Sequence, residues 1–336
     1  MDEEKKDEGE IESPTRLPAR SWRAVARRTA KELLDDELGD RAAALTYYGV
    51  LSLFPALLLL VSLLGVVGRS ATDKILDNIR ALAPGPARDI LRDAVRQLGD
   101  SGGTGSVLAV VGLLAALWSA SGYVAAFIRA SNAVYDLPEG RPVWKLTPLR
   151  LALTVALMLL LAASAVIVVF TGPLAERAGT AFGFGGAAIA VWGVVKWPVL
   201  LMLVVMMIGL LYWAAPNVRG RGFRWISPGS FLATLIWLAA SAGFAVYAAN
   251  FASYNKTYGT LSGAIVFLVW LWLSNLAILV GLEFDAELAR ERVACRGLSP
   301  TEPYVEPRDT RKWPAKWRTA LGAAAPKPVP KPPLRP

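Results

Sequence analysis

The sequence predicts an all-α polytopic membrane protein: a six-helix transmembrane bundle with an outer helical hairpin loop and disordered cytoplasmic tails. Three observations lead there. Hydrophobic residues make up 54% of the 336 residues, with a mean hydropathy of +0.41, above the roughly 45–50% apolar content of an ordinary soluble chain. Charged residues, 19% of the total, crowd into the first 41 residues, the stretch 69–100, a few short joins and everything after Gly281. Between them lie nearly uncharged apolar runs of about 20 residues, the helix length that crosses a hydrocarbon core about 30 Å thick.

The same composition narrows the chemistry. A formal charge of +9 fits nucleic-acid binding or a membrane protein whose cytoplasmic loops collect Lys and Arg. The basic residues sit beside the apolar runs, which favours the membrane, so no nucleic-acid partner is expected. The single cysteine, Cys295, excludes an internal disulfide and a multi-cysteine metal site. The chain contains no histidine, the commonest metal ligand and general base. No cofactor, no metal and no enzymatic activity are expected.

Taken in order, residues 1–18 form an acidic, hydrophilic tail predicted to be disordered. It is unlike a cleavable signal, so the first apolar run is expected to stay in the membrane. Residues 19–40 form a basic amphipathic helix. Trp22, Val25, Ala26, Thr29, Leu33 and Leu34 fall on one side, with Arg20, Arg23, Arg27, Arg28 and Lys31 around them. Such a helix either lies on anionic lipid headgroups or caps its own protein.

The membrane domain, 41–290, holds spans at about 43–68, 105–128, 149–171, 187–215, 228–251 and 261–283. Basic residues flank alternate ends: Arg41, then Arg129, Arg141, Lys145 and Arg150, then Arg219, Arg221 and Arg224, then Arg290, Arg292 and Arg296. This bias places both termini in the cytoplasm of a cell that inserts the chain in its inner membrane. The outer loop 69–104 has apolar residues at helical spacing on either side of Pro84-Gly85-Pro86, which predicts a hairpin serving as a structural lid or a gate. Residues 297–336, ending PKPVPKPPLRP, form a proline-rich basic tail predicted to be extended and disordered. The two tails offer docking surfaces for a protein partner.

Polar residues inside apolar helices are costly, so each is a candidate site. In the first span these are Arg41, Tyr48 and Ser52. Pro55 cannot donate to the carbonyl of Leu51, so a kink and an orphan acceptor are expected, with Ser52 placed to satisfy that neighbourhood. The second span carries Ser121, Arg129 and Asn132, whose spacing returns them to a similar face. Lys196 falls about 15 Å into the fourth run if that helix starts near Ala187. It is either a buried ammonium or, with Trp197, an interfacial anchor following a re-entrant piece at 185–195. Asn250 and Tyr258 cluster at the outer face, and Asn275 lies inside the last span with Glu283 eight residues on. Glu283, Asp285 and Glu287 split across faces at two-residue spacing and are expected to be a solvated helix end.

Three stretches carry a family resemblance: RAAALTYYGVLSLFPALLLLV at 41–61, WSASGYVAAFIRASNAVYD at 118–136, and the run at 211–288 with its P-N, PG, YGTL and GLEFDAEL elements. Together they resemble the YihY / virulence factor BrkB family, in matching order across the membrane region. The resemblance implies a six-helix bacterial inner-membrane protein from a family associated with serum resistance and transport, and formerly named as a ribonuclease. Transport or lipid and envelope handling is the expected function, with a structural or partner-binding membrane protein as the alternative and a membrane-associated ribonuclease behind both.

Overall fold

The computed structural model describes residues 19–67, 105–169, 186–219, 227–251, 260–295 and 304–315. The acidic tail 1–18, the outer loop 69–104 and Tyr258 lie outside the described residues, as does the side chain of Asn250. Seven helices are described: α1 (Ala19–Asp35), α2 (Leu38–Val67), α3 (Gly105–Val134), α4 (Val143–Val169), α5 (Gly186–Ala214), α6 (Pro228–Phe251) and α7 (Thr260–Cys295). No β-strand occurs among the described residues, only an isolated antiparallel bridge between Val218 and Pro307.

Four of these helices are long and apolar enough to cross a membrane: Val143–Val168, Gly186–Ala214, Pro228–Tyr247 and Gly263–Cys295. Many of their exposed residues are large and apolar, among them Leu159, Val194, Met202, Phe231 and Ile265. A face of that kind is stable against lipid rather than water. The chain is a multi-pass membrane protein.

The packing follows chain order and then closes. Helix α2 packs on α3, α3 on α4, α4 on α5, α5 on α6, α6 on α7, and α7 returns to α2. Helix α7 also touches α1 and α3. Several helices run past the bounds expected from hydropathy. Helix α2 begins at Leu38, α3 continues to Val134 and α7 continues to Cys295, because buried neighbours rather than lipid cover those extensions. Helix α5 runs unbroken from Gly186 through Pro198, so residues 186–195 are not a separate re-entrant piece.

The expected orphan carbonyl in α2 is met from another helix. Ser119 of α3 donates its Oγ–H to Leu51 O at 3.0 Å, the acceptor that Pro55 leaves without an amide partner. Ser52 donates to Gly49 O instead. Indole donors tie α6 to α7: Trp237 Nε1 to Ser274 Oγ at 3.1 Å and Trp270 Nε1 to Ser241 Oγ at 3.2 Å.

The tightest crossing is that of α6 and α7. A Cβ on Gly281 would stand 2.4 Å from the backbone oxygen of Gly229, and one on Gly229 would stand 2.0 Å from that of Gly281. The PG and GLEF elements are thus the two sides of one backbone contact. Helix α6 starts there with a reciprocal cap: Ser230 N–H donates to Ser227 Oγ, and Ser227 N–H donates to Ser230 Oγ, with Pro228 at the first helical position. Gly281→Ala should therefore cost about 1–3 kcal/mol through overpacking, read as a lowered unfolding midpoint in detergent. An unchanged midpoint would mean that the helices do not touch at this glycine pair.

Candidate functional site: a buried polar layer at one end of the bundle

The C-terminal end of α7, the C-terminal ends of α3 and α5, and the N-terminal end of α6 meet at one end of the bundle. Helix α1 and residues 304–315 both dock there. Polar residues dominate this layer, and Asn132, Arg141, Asn217, Glu283, Asp285 and Glu287 are buried in it.

Helix α1 packs its apolar side onto α7. Val25 is fully buried, Thr29 is buried, and Trp22 stacks on Phe284 with centroids 6.1 Å apart. Arg28 turns inward and pairs with Glu287 and Glu291, both at 2.5 Å. Arg20, Arg23, Arg27 and Lys31 remain exposed. The helix ends at a turn in which Arg41 donates from Nε to Asp36 O at 2.7 Å. Leu38 is buried behind that turn, and Trp272 of α7 donates to Gly39 O.

The three carboxylates of α7 are not the solvated helix end that their spacing suggested. Glu283, Asp285 and Glu287 are 2%, 2% and 1% exposed, because α1, α2, α3 and α6 surround that part of the helix. Each has a different setting. Glu287 pairs with Arg28 and, through its other oxygen, with Arg290 at 2.6 Å. Asp285 accepts the Gly229 amide at 2.8 Å, placing a negative charge at the positive N-terminus of α6. Glu283 Oε2 is buried and meets no hydrogen-bond donor among the described residues.

Between α3 and α5 the organising residues are Asn132, Glu139, Arg141 and Asn217. Asn132 donates to Glu139 Oε2 at 2.8 Å and accepts the Asn217 amide at 2.8 Å. Arg141, 5% exposed, pairs with Glu139 and donates to the carbonyls of Ala214 and Ala215. These are orphan acceptors at the C-terminus of α5, where a guanidinium also complements the helix dipole. Burial works to raise the Glu139 carboxyl, but the hydrogen bonds and charge of Arg141 outweigh it and hold Glu139 below the usual carboxylate range.

Residues 304–315 form a strap over this layer, which corrects the expectation of a disordered tail across all of 297–336. Tyr304 and Trp313 are buried. Trp313 donates to Pro138 O at 2.8 Å, and the Lys312 amide donates to Gly140 O. Arg308 donates to Val218 O and Trp213 O, while Asn217 donates to Asp309 O. Gly140 is required for the fit: a Cβ there would lie 1.8 Å from Asp309 O.

The remaining sequence-predicted residues fall elsewhere. Asn275, 2% exposed, accepts from Tyr123 OH at 2.9 Å and donates to Thr46 Oγ1 at 3.1 Å, so α7, α3 and α2 share one interior contact. Ser121 is buried and bonded to Trp118 O. Arg129 is exposed, its guanidinium 5.9 Å from the centroid of the Tyr48 ring. Ser121 and Asn132 are thus inside while Arg129 is outside, and the three do not form one working face. Lys196 is partly exposed, its ammonium 5.4 Å from the centroid of the exposed Trp197 ring. No group of three or more His, Cys, Asp or Glu among the described residues has metal-holding geometry.

This arrangement can be set beside known proteins. The profile of the virulence factor BrkB family matches residues 29–303. The chain belongs to the virulence factor BrkB family. A relative from Bacillus subtilis, the putative ribonuclease-like protein YfkH, is 31% identical over 253 residues, covering 75% of this chain and 90% of that one. A UPF0761 membrane protein of Alkalilimnicola ehrlichii is 31% identical over 269 residues, covering 79% of this chain. One from Xanthomonas oryzae is 29% identical over 273 residues, covering 78%. The chain spans only 58% and 60% of those two UPF0761 proteins. No solved structure matches the chain. Within this BrkB-family chain, the buried layer draws on the run at 118–136 and on the P-N, PG and GLEFDAEL elements.

Sequence reasoning named Arg141 only as a flanking cation and Asn217 only within the P-N element, and it missed Arg308, Asp309 and Trp313. The signal available in the tail was its aromatics, Tyr304, Trp313 and Trp317, in an otherwise polar, proline-rich stretch.

Two outcomes follow from this geometry. Trp313→Ala should release the strap, so that trypsin cuts at Arg308, Arg311 and Lys312 at least about tenfold faster than in the parent, the change expected when a buried indole is truncated. Equal cleavage rates would show that the strap is not held by Trp313. Asp36, half-buried and near Asp136, is pushed up to about 6, chiefly by burial and then by the Asp136 charge. Its neutral form therefore stabilises the fold below the unfolded value of 3.8, and that contribution is lost as pH rises through about 6. Asp36→Asn should raise the unfolding midpoint at pH 8 and leave it unchanged near pH 3.5, as thermal unfolding across that range would show.

Proposed function

We propose that this BrkB-family protein is a six-span protein of the cytoplasmic membrane, with both termini in the cytoplasm, that moves or remodels a membrane-associated solute or lipid. Helices α2 and α3, 30 residues each, supply the two spans beyond the four most apolar ones. Each is about 45 Å long. Helix α1 and the strap dock at the same end of the bundle, as an even number of crossings requires. The basic residues Arg23, Arg27, Lys31, Arg41, Arg129 and Arg219 cluster toward that end, which the positive-inside bias assigns to the cytoplasm.

The observation that carries the functional reading is the contact of Asn275, Tyr123 and Thr46 inside the bundle. Three helices from distant parts of the chain place polar side chains together away from both ends. Polar groups at that depth mark pathways for solute or ions more often than they serve packing alone. Below it along α7, the buried carboxylates Glu283, Asp285 and Glu287 continue the polar character of the helix on more than one face. The exposed basic residues Arg20, Arg23, Arg27 and Lys31 of α1 fit anionic lipid headgroups.

A structural, partner-binding role is the second reading, and the strap favours it, because a closed and well-bonded cytoplasmic cover suits docking as well as gating. The ribonuclease-like wording attached to YfkH is not carried to this chain, which has no histidine. In proteoliposomes, Asn275→Ala should reduce solute flux or lipid scrambling at least about tenfold, the loss of about 1.4 kcal/mol of barrier lowering, while the protein remains folded. Parental flux and scrambling rates in a folded Asn275→Ala protein would remove the interior contact from any pathway.

A further inference from the structure

Two arginines on the flank of the bundle, Arg129 and Arg150, pair with no carboxylate among the described residues. Arg150 lies about 10 Å into α4, inside the apolar span Val143–Val168. Its guanidinium stands 5.8 Å from the centroid of the Trp118 ring of α3, and its buried Nε meets no acceptor among the described residues. Arg129 of α3 is exposed, its guanidinium 5.9 Å from the centroid of the Tyr48 ring of α2. The acids of the α3–α4 turn and of the strap are committed elsewhere: Asp136 to Arg290, Glu139 to Arg141, and Asp309 to Lys145 and Arg311.

The Trp118 ring brings Arg150 to the same side of α3 that carries Arg129. Val111, Leu114, Trp118 and Arg129 recur at intervals that return close to one direction on a helix, and all four are exposed. The opposite side of α3 holds the buried Val124, Phe127 and Ala130. From Trp118, the exposed Leu114 and Val111 lead away from the polar layer; from Arg150, the exposed Val155 and Leu159 of α4 do the same. This surface is cationic toward one end of the bundle and apolar beyond it. A guanidinium stacked on a ring keeps its in-plane N–H donors free. An unneutralised charge on a face that meets lipid is costly until an anion joins it.

We propose that this surface binds an anionic phospholipid, with Arg150 and Arg129 taking oxygens of its headgroup and its acyl chains lying along Val111, Leu114, Val155 and Leu159. The planar fork of N–H donors matches phosphate oxygens. The apolar continuation calls for a ligand with a hydrocarbon part, which a free phosphate ion lacks. A net negative headgroup neutralises the two arginines, whereas a zwitterionic one adds a cation that neither of them can accept. The site is separate from the basic face of α1. It stands on the membrane location of the chain, whether or not the protein moves a solute.

The test is native mass spectrometry of the full chain in detergent, titrated with dioleoyl phosphatidylglycerol and, separately, with dioleoyl phosphatidylcholine. The parent should hold phosphatidylglycerol at least about tenfold more tightly, the difference one charge-assisted pairing supplies. Arg129→Gln/Arg150→Gln should bring that preference to about twofold or less. Arg219→Gln/Arg311→Gln, which removes the same charge from exposed ion pairs elsewhere, should keep it. In the parent protein, phosphatidylglycerol but not phosphatidylcholine should slow phenylglyoxal modification of Arg129 and Arg150 at least about fivefold, as site occupancy requires; peptide mapping reads this even if the double variant fails to fold. Equal affinity for the two lipids overturns the proposal, as does equal modification with either lipid bound. A preference that survives Arg129→Gln/Arg150→Gln overturns it by assigning the lipid to another surface, the basic face of α1 foremost. A preference lost in Arg219→Gln/Arg311→Gln overturns it by showing that net charge alone sets binding. Displacement of phosphatidylglycerol by inorganic phosphate at equal concentration would identify a free-phosphate site, and would equally overturn it.

Discussion

Helix α7 is longer than the membrane it crosses, and the excess is charged. Its 36 residues extend about 54 Å, nearly twice the thickness of a hydrocarbon core. The part beyond the apolar run carries Glu283, Asp285, Glu287, Arg290, Glu291 and Arg292; the first three are buried in protein and the last three are partly exposed. Everything at this end of the bundle answers that constraint. Helix α1 brings Arg28 to Glu287 and Glu291. The α6 terminus brings its amide to Asp285, which needs the backbone approach that Gly229 and Gly281 permit. The α3 terminus brings Asp136 to Arg290, and the strap lays Tyr304 over the same guanidinium. Removing water here makes each pairing stronger and each unpaired group more costly.

The polar residues within the apolar helices divide by what they satisfy. Ser119 answers the carbonyl exposed by Pro55, Tyr212 donates to Ile278 O beside the glycine crossing, and Arg141 and Arg308 take up the last carbonyls of α5. The contacts of Ser119, Arg141 and Arg308 answer backbone groups that the helix itself cannot satisfy, while Tyr212 adds a second donor to a mid-helix carbonyl. Asn275 is different. Tyr123 and Thr46 meet its amide side chain to side chain, with no broken helix to repair. Glu283 is different again, since nothing described meets its buried oxygen. These two residues are where packing alone is an incomplete explanation.

Helix existence was readable because it depends on long apolar runs, and the amphipathic α1 because Trp22, Val25 and Thr29 recur at helical spacing. The surroundings of Glu283, Asp285 and Glu287 were not readable. Their two-residue spacing describes one helix, whereas their burial depends on α1 and α6, hundreds of residues or one loop away. The strap was hidden for the same reason. Pro, Lys and Arg dominate the tail's composition, while its docking rests on Trp313, on the space left by Gly140, and on Asn217, none of which is adjacent to another in sequence. Spacing also misjudged Ser121, Arg129 and Asn132, because a face is wide and Arg129 leans to its outer edge, over Tyr48.

Lys196 shows how depth follows once one end of a helix is tied down. The carbonyl of Ala214 lies in the buried polar layer, bonded to Arg141, so it marks one edge of the apolar slab. Lys196 is 18 residues away on the continuous helix α5, about 27 Å along the axis. That nearly exhausts a core of about 30 Å, and less than one helical turn separates Lys196 from the far boundary. A lysine stem spans that distance easily, carrying its ammonium to the headgroups while its methylenes stay in apolar surroundings. The exposed Trp197 ring beside it suits the same boundary, where aromatic amphipaths concentrate. A charge that would be prohibitive at mid-membrane is inexpensive at that depth, which supports reading Lys196 as an interfacial anchor.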